Sequence, residues 1–233
     1  MAEASVMRSS LVSERKDPIA KKWLQRSVRK GIFAVVSENK MQGRDDPRVI
    51  EGSALRALAH PLRVRIYDIV SQYGPQTASS LAQMMGESSG ATSYHLRALA
   101  KHGLIQEAEG RGNARERWWE RPRGAVSFGS PEGLKTPSGR AATQVVMTEF
   151  FNRRHEQLMT YIAEGIANPE RDEPDASINT ATAHLTPEQM GELAHRMMSV
   201  IDEFVEKYRD QKGDDVRTVT IRADVFPLPE EGH

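Results

Sequence analysis

Hydrogen-bonding and cationic side chains are concentrated in residues 88–102, SSGATSYHLRALAKH. At 100° per residue, a helix over this stretch has an inward face formed by Thr92, Leu96, Leu99 and Ala100. The opposite face carries Gly90, Tyr94, Arg97 and Lys101, with Ala91 and His95 at its flanks. Small residues at the helix start, polar groups behind them and cations at the end suit hydrogen bonding to base edges and phosphates. The chemistry predicted for this helix is reversible binding of a nucleic acid.

A second basic group follows in residues 104–120, LIQEAEGRGNARERWWE. Two short extended runs around a Gly-Arg-Gly-Asn turn predict a β-hairpin, whose arginines are placed to contact phosphates. One of the two adjacent tryptophans is expected in the core. The residues that we predict to contact DNA are Ser88, Ser89, Gly90, Ala91, Ser93, Tyr94, His95, Arg97, Lys101, Arg111, Arg115 and Arg117.

Helices must position this binding stretch, and the signals for their ends are strong. Pro61 suits the first position of a helix that Gly74 ends. Thr77 is the predicted N-cap of the next helix, which Gly86 ends, and Ser88 is the predicted N-cap of the binding helix. The order is therefore three or four helices followed by a hairpin. Within the first of these helices, Arg65 is placed either to contact a phosphate or to pair with Asp68, and we favour the pair with Asp68.

Three segments of this region resemble the winged-helix domain of ArsR-type bacterial transcription repressors: ALAHPLRVRIYDIV, LAQMMGESSGATSYHLRALAKHGLI and GRGNARERWW. The family's Ser-x-His-Leu positions match Ser93, His95 and Leu96, and its His-Pro-x-Arg segment matches residues 60–63. The resemblance implies a winged helix-turn-helix fold, a dimer, and binding to a palindromic operator that some signal releases. The chain resembles a large, cysteine-free member of that family with a C-terminal extension.

Composition excludes several other functions. The chain has 233 residues and no cysteine, which excludes disulfides and thiolate metal sites. His155, His184 and His195 lack the close spacing of a metal site, so we expect no metal and no cofactor. The longest purely apolar run, IFAVV, is far shorter than the roughly 20 residues of a membrane span. Without a recognisable secretory signal, we expect a cytoplasmic protein.

Charge divides the chain into a basic front and an acidic back. The net charge is +8 over residues 1–123 and −8 over residues 124–233, which sums to zero. Such asymmetry indicates that the front half faces a polyanion and that the back half has another role.

The predicted fold is mostly α with small β. We divide it into a basic flexible arm at 1–47, a winged helix-turn-helix DNA-binding domain at 48–122, a linker at 123–140 and a C-terminal α+β part at 141–228. That last part is expected to run helix, strand, helix, strand, with strands at 180–185 and 217–225 paired to each other. We also expect a chain cut after Arg123 to leave a folded winged helix.

A heptad stripe marks the second helix of the C-terminal part and is formed by Met190, Ala194, Met197, Ile201, Phe204 and Tyr208. Such a stripe is more commonly an intrachain core than a dimer contact, but the two can coincide, and we expect this part to dimerise. Its methionines either fill the core, their commoner use, or line a pocket for an unknown small-molecule effector.

The predicted function is a sequence-specific DNA-binding transcriptional regulator, a dimeric repressor. It would read the major groove with helix 88–102 and contact phosphates with the wing 104–120. The alternative is a winged-helix protein-interaction module without DNA binding, which has no need of cationic residues on both elements. No enzyme motif is present: the chain has no G-x-S-x-G elbow, phosphate-binding glycine loop or H-E-x-x-H pair. We therefore expect no catalytic residues.

Overall fold

A computed structural model of the chain describes residues 34–36, 48–111, 116–124, 126–170, 176–209 and 211–229. The helices are α1 (Gly52–Leu58), α2 (Pro61–Tyr73), α3 (Ala78–Met85), α4 (Ser89–Lys101), α5 (Pro131–Leu134), α6 (Pro137–Ala167) and α7 (Pro187–Tyr208). The strands are β1 (Ala34–Val36), β2 (Arg48–Ile50), β3 (Gln76–Thr77), β4 (Gln106–Glu107), β5 (Trp118–Glu120) and β6 (Val126–Phe128). The fold is mostly α with small β. No helix in these ranges is long and apolar enough to cross a membrane.

Helices α3 and α4 form a helix-turn-helix whose connection is fixed by local hydrogen bonds. The Thr77 hydroxyl accepts a hydrogen bond from the Ser80 amide at 3.1 Å and caps α3. Gly86 ends α3 in the left-handed conformation, with φ at 70°. The Thr92 hydroxyl of α4 then donates to the carbonyl oxygen of Ala78 at 2.8 Å, which holds the two helices together.

Two small sheets flank the helices. In one, β5 pairs antiparallel with both β3 and β4, so that Trp119 lies opposite Gln76 and Glu107. This sheet attaches the hairpin to the start of α3. In the other, β6 lies between β1, which is antiparallel to it, and β2, which is parallel.

The region predicted as a linker, 123–140, differs from the prediction. Residues 126–128 form the central strand of a sheet and are buried, and α6 already begins at Pro137. The Phe128 ring lies 6.1 Å from the Tyr67 ring and 5.1 Å from the Phe150 ring. The surrounding Gly, Pro and Ser residues obscured the alternation of Val126 and Phe128, which are apolar and inward-facing. The core of the helical domain therefore extends through the first half of α6.

A buried carboxylate joins α2 to α6. Asp68 is 0% exposed, and the Arg153 Nε atom donates to its Oδ2 at 2.5 Å, while Arg154 donates to its Oδ1 at 3.3 Å. The expected pairing of Asp68 with Arg65 is wrong, because Arg65 donates to the carbonyl oxygen of Met84 at 3.5 Å. Two cations on a distant helix outcompete the cation nearby in sequence, since a buried carboxylate needs several donors.

Residues 180–185 and 217–225 are both described, and neither forms the strand predicted for it. The predicted pairing of these two strands is therefore wrong for the single chain. The second segment lies along α6 instead. Arg154 donates to the Thr220 hydroxyl at 2.9 Å, and the Arg222 guanidinium lies 5.5 Å from the Phe151 ring. Side-chain contacts of this kind replace a strand partner.

Of the predicted basic arm at 1–47, only residues 34–36 are described. They form β1, paired with the central strand of its sheet, which differs from a flexible arm over those three residues. The remainder of that prediction lies outside the described residues.

Candidate nucleic-acid interface

The polar face predicted for residues 88–101 is present on α4. The Ser88 hydroxyl accepts a hydrogen bond from the Ala91 amide at 3.1 Å and caps the helix. The exposed residues of this face are Ser88, Ser89, Gly90, Tyr94, Arg97 and Lys101, while Ala91 and Ser93 are half-buried. The face thus runs from small residues at the helix start to cations at its end, as a helix in the major groove requires.

Gly90 leaves open space beside the start of α4. A β-carbon built at this position would meet no atom nearer than the Ser88 hydroxyl, at 4.0 Å. Packing within the described chain therefore does not require a glycine there. The missing side chain instead lets a ligand approach the helix backbone, where free amide groups attract phosphate.

Among the described residues predicted to contact DNA, His95 is the least exposed. It is 9% exposed, and its ring lies 4.7 Å from the ring of His60, the residue before α2. The Tyr94 ring, on the exposed face, meets the His95 ring edge-on at 5.2 Å. Burial, together with His60 and Arg63, lowers the pKa of His95, whereas Glu87 acts in the opposite direction. His95 is therefore neutral at neutral pH and packs as an aromatic ring.

The wing carries the three predicted arginines in different settings. Arg117 is exposed and forms a salt bridge with Glu107 across the hairpin, at 2.8 Å. The Arg111 guanidinium lies 5.8 Å from the Trp118 ring. Arg115 lies outside the described residues. Both described arginines thus have partners within the hairpin, but each is exposed enough for the charge to act on a nearby polyanion.

Sequence reasoning missed one residue that supports the interface. The Arg48 guanidinium donates to the carbonyl oxygens of Gly103 and His102, at 2.7 Å and 3.3 Å. A cation at the C-terminal end of a helix satisfies free carbonyls and complements the helix dipole. Arg48 therefore holds the end of α4 from a strand about 50 residues earlier, and no local pattern signals a contact of that range.

Among the residues described, no three histidine or acidic side chains are grouped closely enough to hold a metal ion. His60 and His95 are close to each other, but no described acidic side chain joins them to complete a metal site. The chemistry available to this surface is hydrogen bonding, ring contact and charge attraction.

A protein-family model described as a helix-turn-helix domain matches residues 58–107. One solved structure similar to this chain is the crystal structure of a possible transcriptional regulator for arsenical resistance. It is 25% identical, with a TM-score of 0.27, over 47% of this chain and 95% of its own. Comparison with curated proteins gives no match. Residues 58–107 of this chain, which run from the end of α1 to β4, are a helix-turn-helix domain.

Proposed function

We propose that the protein is a sequence-specific DNA-binding transcriptional regulator, a cytoplasmic dimeric repressor of the ArsR type that acts by binding rather than by catalysis. Helix α4 reads base edges in the major groove, and the wing between β4 and β5 contacts phosphates. The operator is palindromic double-stranded DNA, with one half-site for each copy of the chain.

The exposed face of α4 carries this proposal. Gly90 leaves the helix start open, and Tyr94, with 66% of its surface exposed, stands beside two exposed cations on the same face. Exposure of a large aromatic ring among cations has no packing benefit for an isolated domain. It suits a surface that hydrogen-bonds to bases while attracting their phosphates.

The alternative is a winged-helix module that binds a protein, and one observation favours it. Glu107 offsets the charge of Arg117, so part of the wing's charge is satisfied internally. Because exposed pairs of this kind are worth only about 0–1 kcal/mol, a phosphate can displace the carboxylate at little cost. We therefore prefer DNA as the partner.

Dimerisation is proposed from the back half of the chain. The heptad stripe of α7 is exposed only towards its end, where Phe204 is 54% and Tyr208 is 46% exposed; its first four residues are half-buried, and the only buried residue of that helix is Asp202. In the extended segment beyond it, Val219 is 75% exposed, whereas Thr220 and Arg222 contact α6. The chain therefore leaves the apolar side chains of Phe204, Tyr208 and Val219 exposed, and a second copy would cover them.

The same exposed apolar surface leaves room for the unknown small-molecule effector, which would act by favouring one arrangement of the two copies.

The test is selection of the purified protein on a library of random DNA duplexes, followed by titration of the best duplex and by genomic footprinting. We expect one palindromic sequence to be enriched and to bind at least about a thousandfold more tightly than a random duplex. A library without any enriched sequence, together with salt-insensitive binding, would contradict DNA reading and favour the protein-interaction module.

A further inference from the structure

Three aromatic rings in edge-on and tilted contact, called the stack below, join the exposed face of α4 to the start of α2. Tyr94 is the exposed end, His95 is the buried middle, and His60 is the half-buried far end. Ring centroids are 5.2 Å apart for the first pair and 4.7 Å for the second, within the range in which aromatic rings attract each other.

We infer that His95 is a positioning residue for base recognition: it fixes the ring of Tyr94 against the groove, and His60 anchors it from α2. This inference rests on the proposed function. It reassigns His95 from the set of residues expected to touch DNA, because a side chain that is 9% exposed presents too little surface to contact a base edge.

The hydrogen-bonding state of the histidines supports this role. The Nδ1 atoms of His60 and His95 are both buried, and neither has a hydrogen-bond partner within the described part of the chain. The rings are therefore held by packing and not by a polar network. Tyr94 is exposed on its solvent side, and the His95 ring behind it restricts its orientation.

Orientation matters because a tyrosine hydroxyl reads a base only when its distance and angle are right. A free ring on an exposed helix samples several rotamers, and fixing one of them costs entropy on binding. The stack restricts those rotamers before DNA arrives. Loss of His95 should therefore relax selectivity at the base that Tyr94 reads, while non-specific binding through phosphates stays unchanged.

Acid provides a second readout, because protonation would put a charge into the stack. The groups facing His95 are the His60 ring and Arg63 from the start of α2, Glu87 from the turn before α4, and Tyr94 beside it. Burial, His60 and Arg63 hold the pKa of His95 below 6.5. The folded state therefore releases this proton more readily than the unfolded chain, so the packed ring is fully stable above pH 6.5 and loses stability as the pH falls below it.

The experiment uses the full chain and the best duplex from the random library, with each base pair substituted in turn. Tyr94→Ala first identifies the base that Tyr94 reads. At that position we expect the wild type to bind the preferred base pair at least about fivefold more tightly than a substituted one. His95→Leu should lose that discrimination yet keep its affinity for a random duplex, and Tyr94→Ala combined with His95→Leu should lose no more than either variant alone.

His95→Phe is the matched control, because it keeps a ring in the stack and cannot be protonated. It should discriminate as the wild type does at about pH 7.5, and it should keep that discrimination as the pH is lowered through the range in which the wild type loses selectivity. If His95→Leu fails to fold, His60→Leu removes the far end of the stack and serves the same test.

The inference is wrong if His95→Leu discriminates between base pairs as well as the wild type does, or if Tyr94→Ala does so at every position. Either result would leave the proposed function standing. An equal loss of affinity for all duplexes in His95→Leu would also overturn the inference, since that result means a general packing role. A library with no preferred duplex overturns the proposed function and this inference with it.

Discussion

Gly90 and Gly139 lie at the starts of two helices, but their surroundings are opposite. A β-carbon at Gly90 points into open space, whereas one at Gly139 would lie 2.1 Å from the carbonyl oxygen of Gly133. The first glycine is free for a ligand to approach, and the second is required because backbone packs against it.

The same substitution should therefore have opposite effects on stability. Gly90→Ala should raise the free energy of unfolding by about 0.5–1 kcal/mol, because alanine favours a helix. Gly139→Ala should lower it by about 2 kcal/mol or more through overpacking. Urea denaturation of both variants measures this difference.

DNA titration separates function from stability in the same pair. Gly90→Ala should weaken specific binding by about 1–3 kcal/mol, comparable with one base mismatch, although the protein is more stable. A stabilised Gly90→Ala variant with wild-type affinity would mean that no base or phosphate approaches this end of α4.

Arg97 and Arg115 should differ in what they contribute to affinity. Arg97→Ala should cost about 1–3 kcal/mol on the specific duplex and relax selection at one position, because its side chain lies on the exposed face of α4. Arg115→Ala should weaken all duplexes equally and reduce the salt dependence by about one unit of slope. Titrations at several salt concentrations, on specific and random duplexes, measure both effects. If both variants lost only non-specific affinity, the proposal that α4 reads bases would be wrong.

Local residue patterns were sufficient to predict the helix ends. Thr77 and Ser88 each cap the helix expected of them, because a cap depends on residues three positions apart. The contact of His95 with His60 joins residues 35 positions apart through the tertiary fold. Helical periodicity placed His95 at the flank of the exposed face of α4 and gave no information on what packs beside it.

At the scale of elements, the contact of α2 with α6 depends on one buried carboxylate. Burial raises the pKa of Asp68, while Arg154 and Arg153 oppose that rise. Gln72 donates to both carboxylate oxygens of Asp68 at 3.1 Å, and Gln157 donates to Gln72 at 2.8 Å. The cluster thus links α2 to α6 by four polar side chains around one acid.

Asp68→Ala should lower the free energy of unfolding by about 3 kcal/mol, because it leaves two partly buried arginines without their counter-charge. Chemical denaturation of the full chain measures this loss. Lys135→Ala is the control, since it breaks the exposed pair with Glu132 and should change stability by less than about 0.5 kcal/mol. A similar small loss in both variants would mean that the buried cluster contributes specificity of packing and not stability.

The elements that sequence periodicity missed are those stabilised by distant partners. Strand β6 has three residues, too few for alternation to stand out among glycines and prolines, and it forms because β1 and β2 are available on either side. The opposite error occurred at 217–225, where alternation is clear but no strand partner exists in the described single chain. Periodicity reports which face is apolar; pairing requires a partner that the local sequence does not contain.

At the scale of the molecule, the core crosses the boundary that composition indicated. Val126, Phe128, Val146 and Phe150 belong to the same buried cluster as the residues of α2 and α4. The expectation that a chain cut after Arg123 leaves a folded winged helix is therefore revised, because the cut removes these side chains.

A chain ending at Asn168 is the better truncation. It keeps the whole core and removes α7 with the segment beyond it. We expect it to fold, to sediment as a monomer, and to bind a palindromic duplex at least about a hundredfold more weakly than the full chain. The chain ending at Arg123 should show no cooperative unfolding transition. A dimeric Asn168 truncation with full affinity would place the contact between copies in the front half.

Helix α6 has 31 residues, and its buried positions all lie in the first half, between Ala142 and Phe150. At about 1.5 Å per residue it is one continuous helix roughly 46 Å long, which runs from the core of the helical domain into the back half of the chain. In a continuous helix, an insertion rotates all the residues that follow it about the helix axis, relative to those before it. One residue inserted beyond the Arg154 contacts would turn everything that follows by about 100° about the helix axis, whereas seven would return it nearly to phase two turns further out. Chimaeras that exchange the back half should therefore tolerate junctions in steps of whole helical turns. In the proposed dimer, the rotation of one copy of α4 relative to the other would depend on the length of this helix.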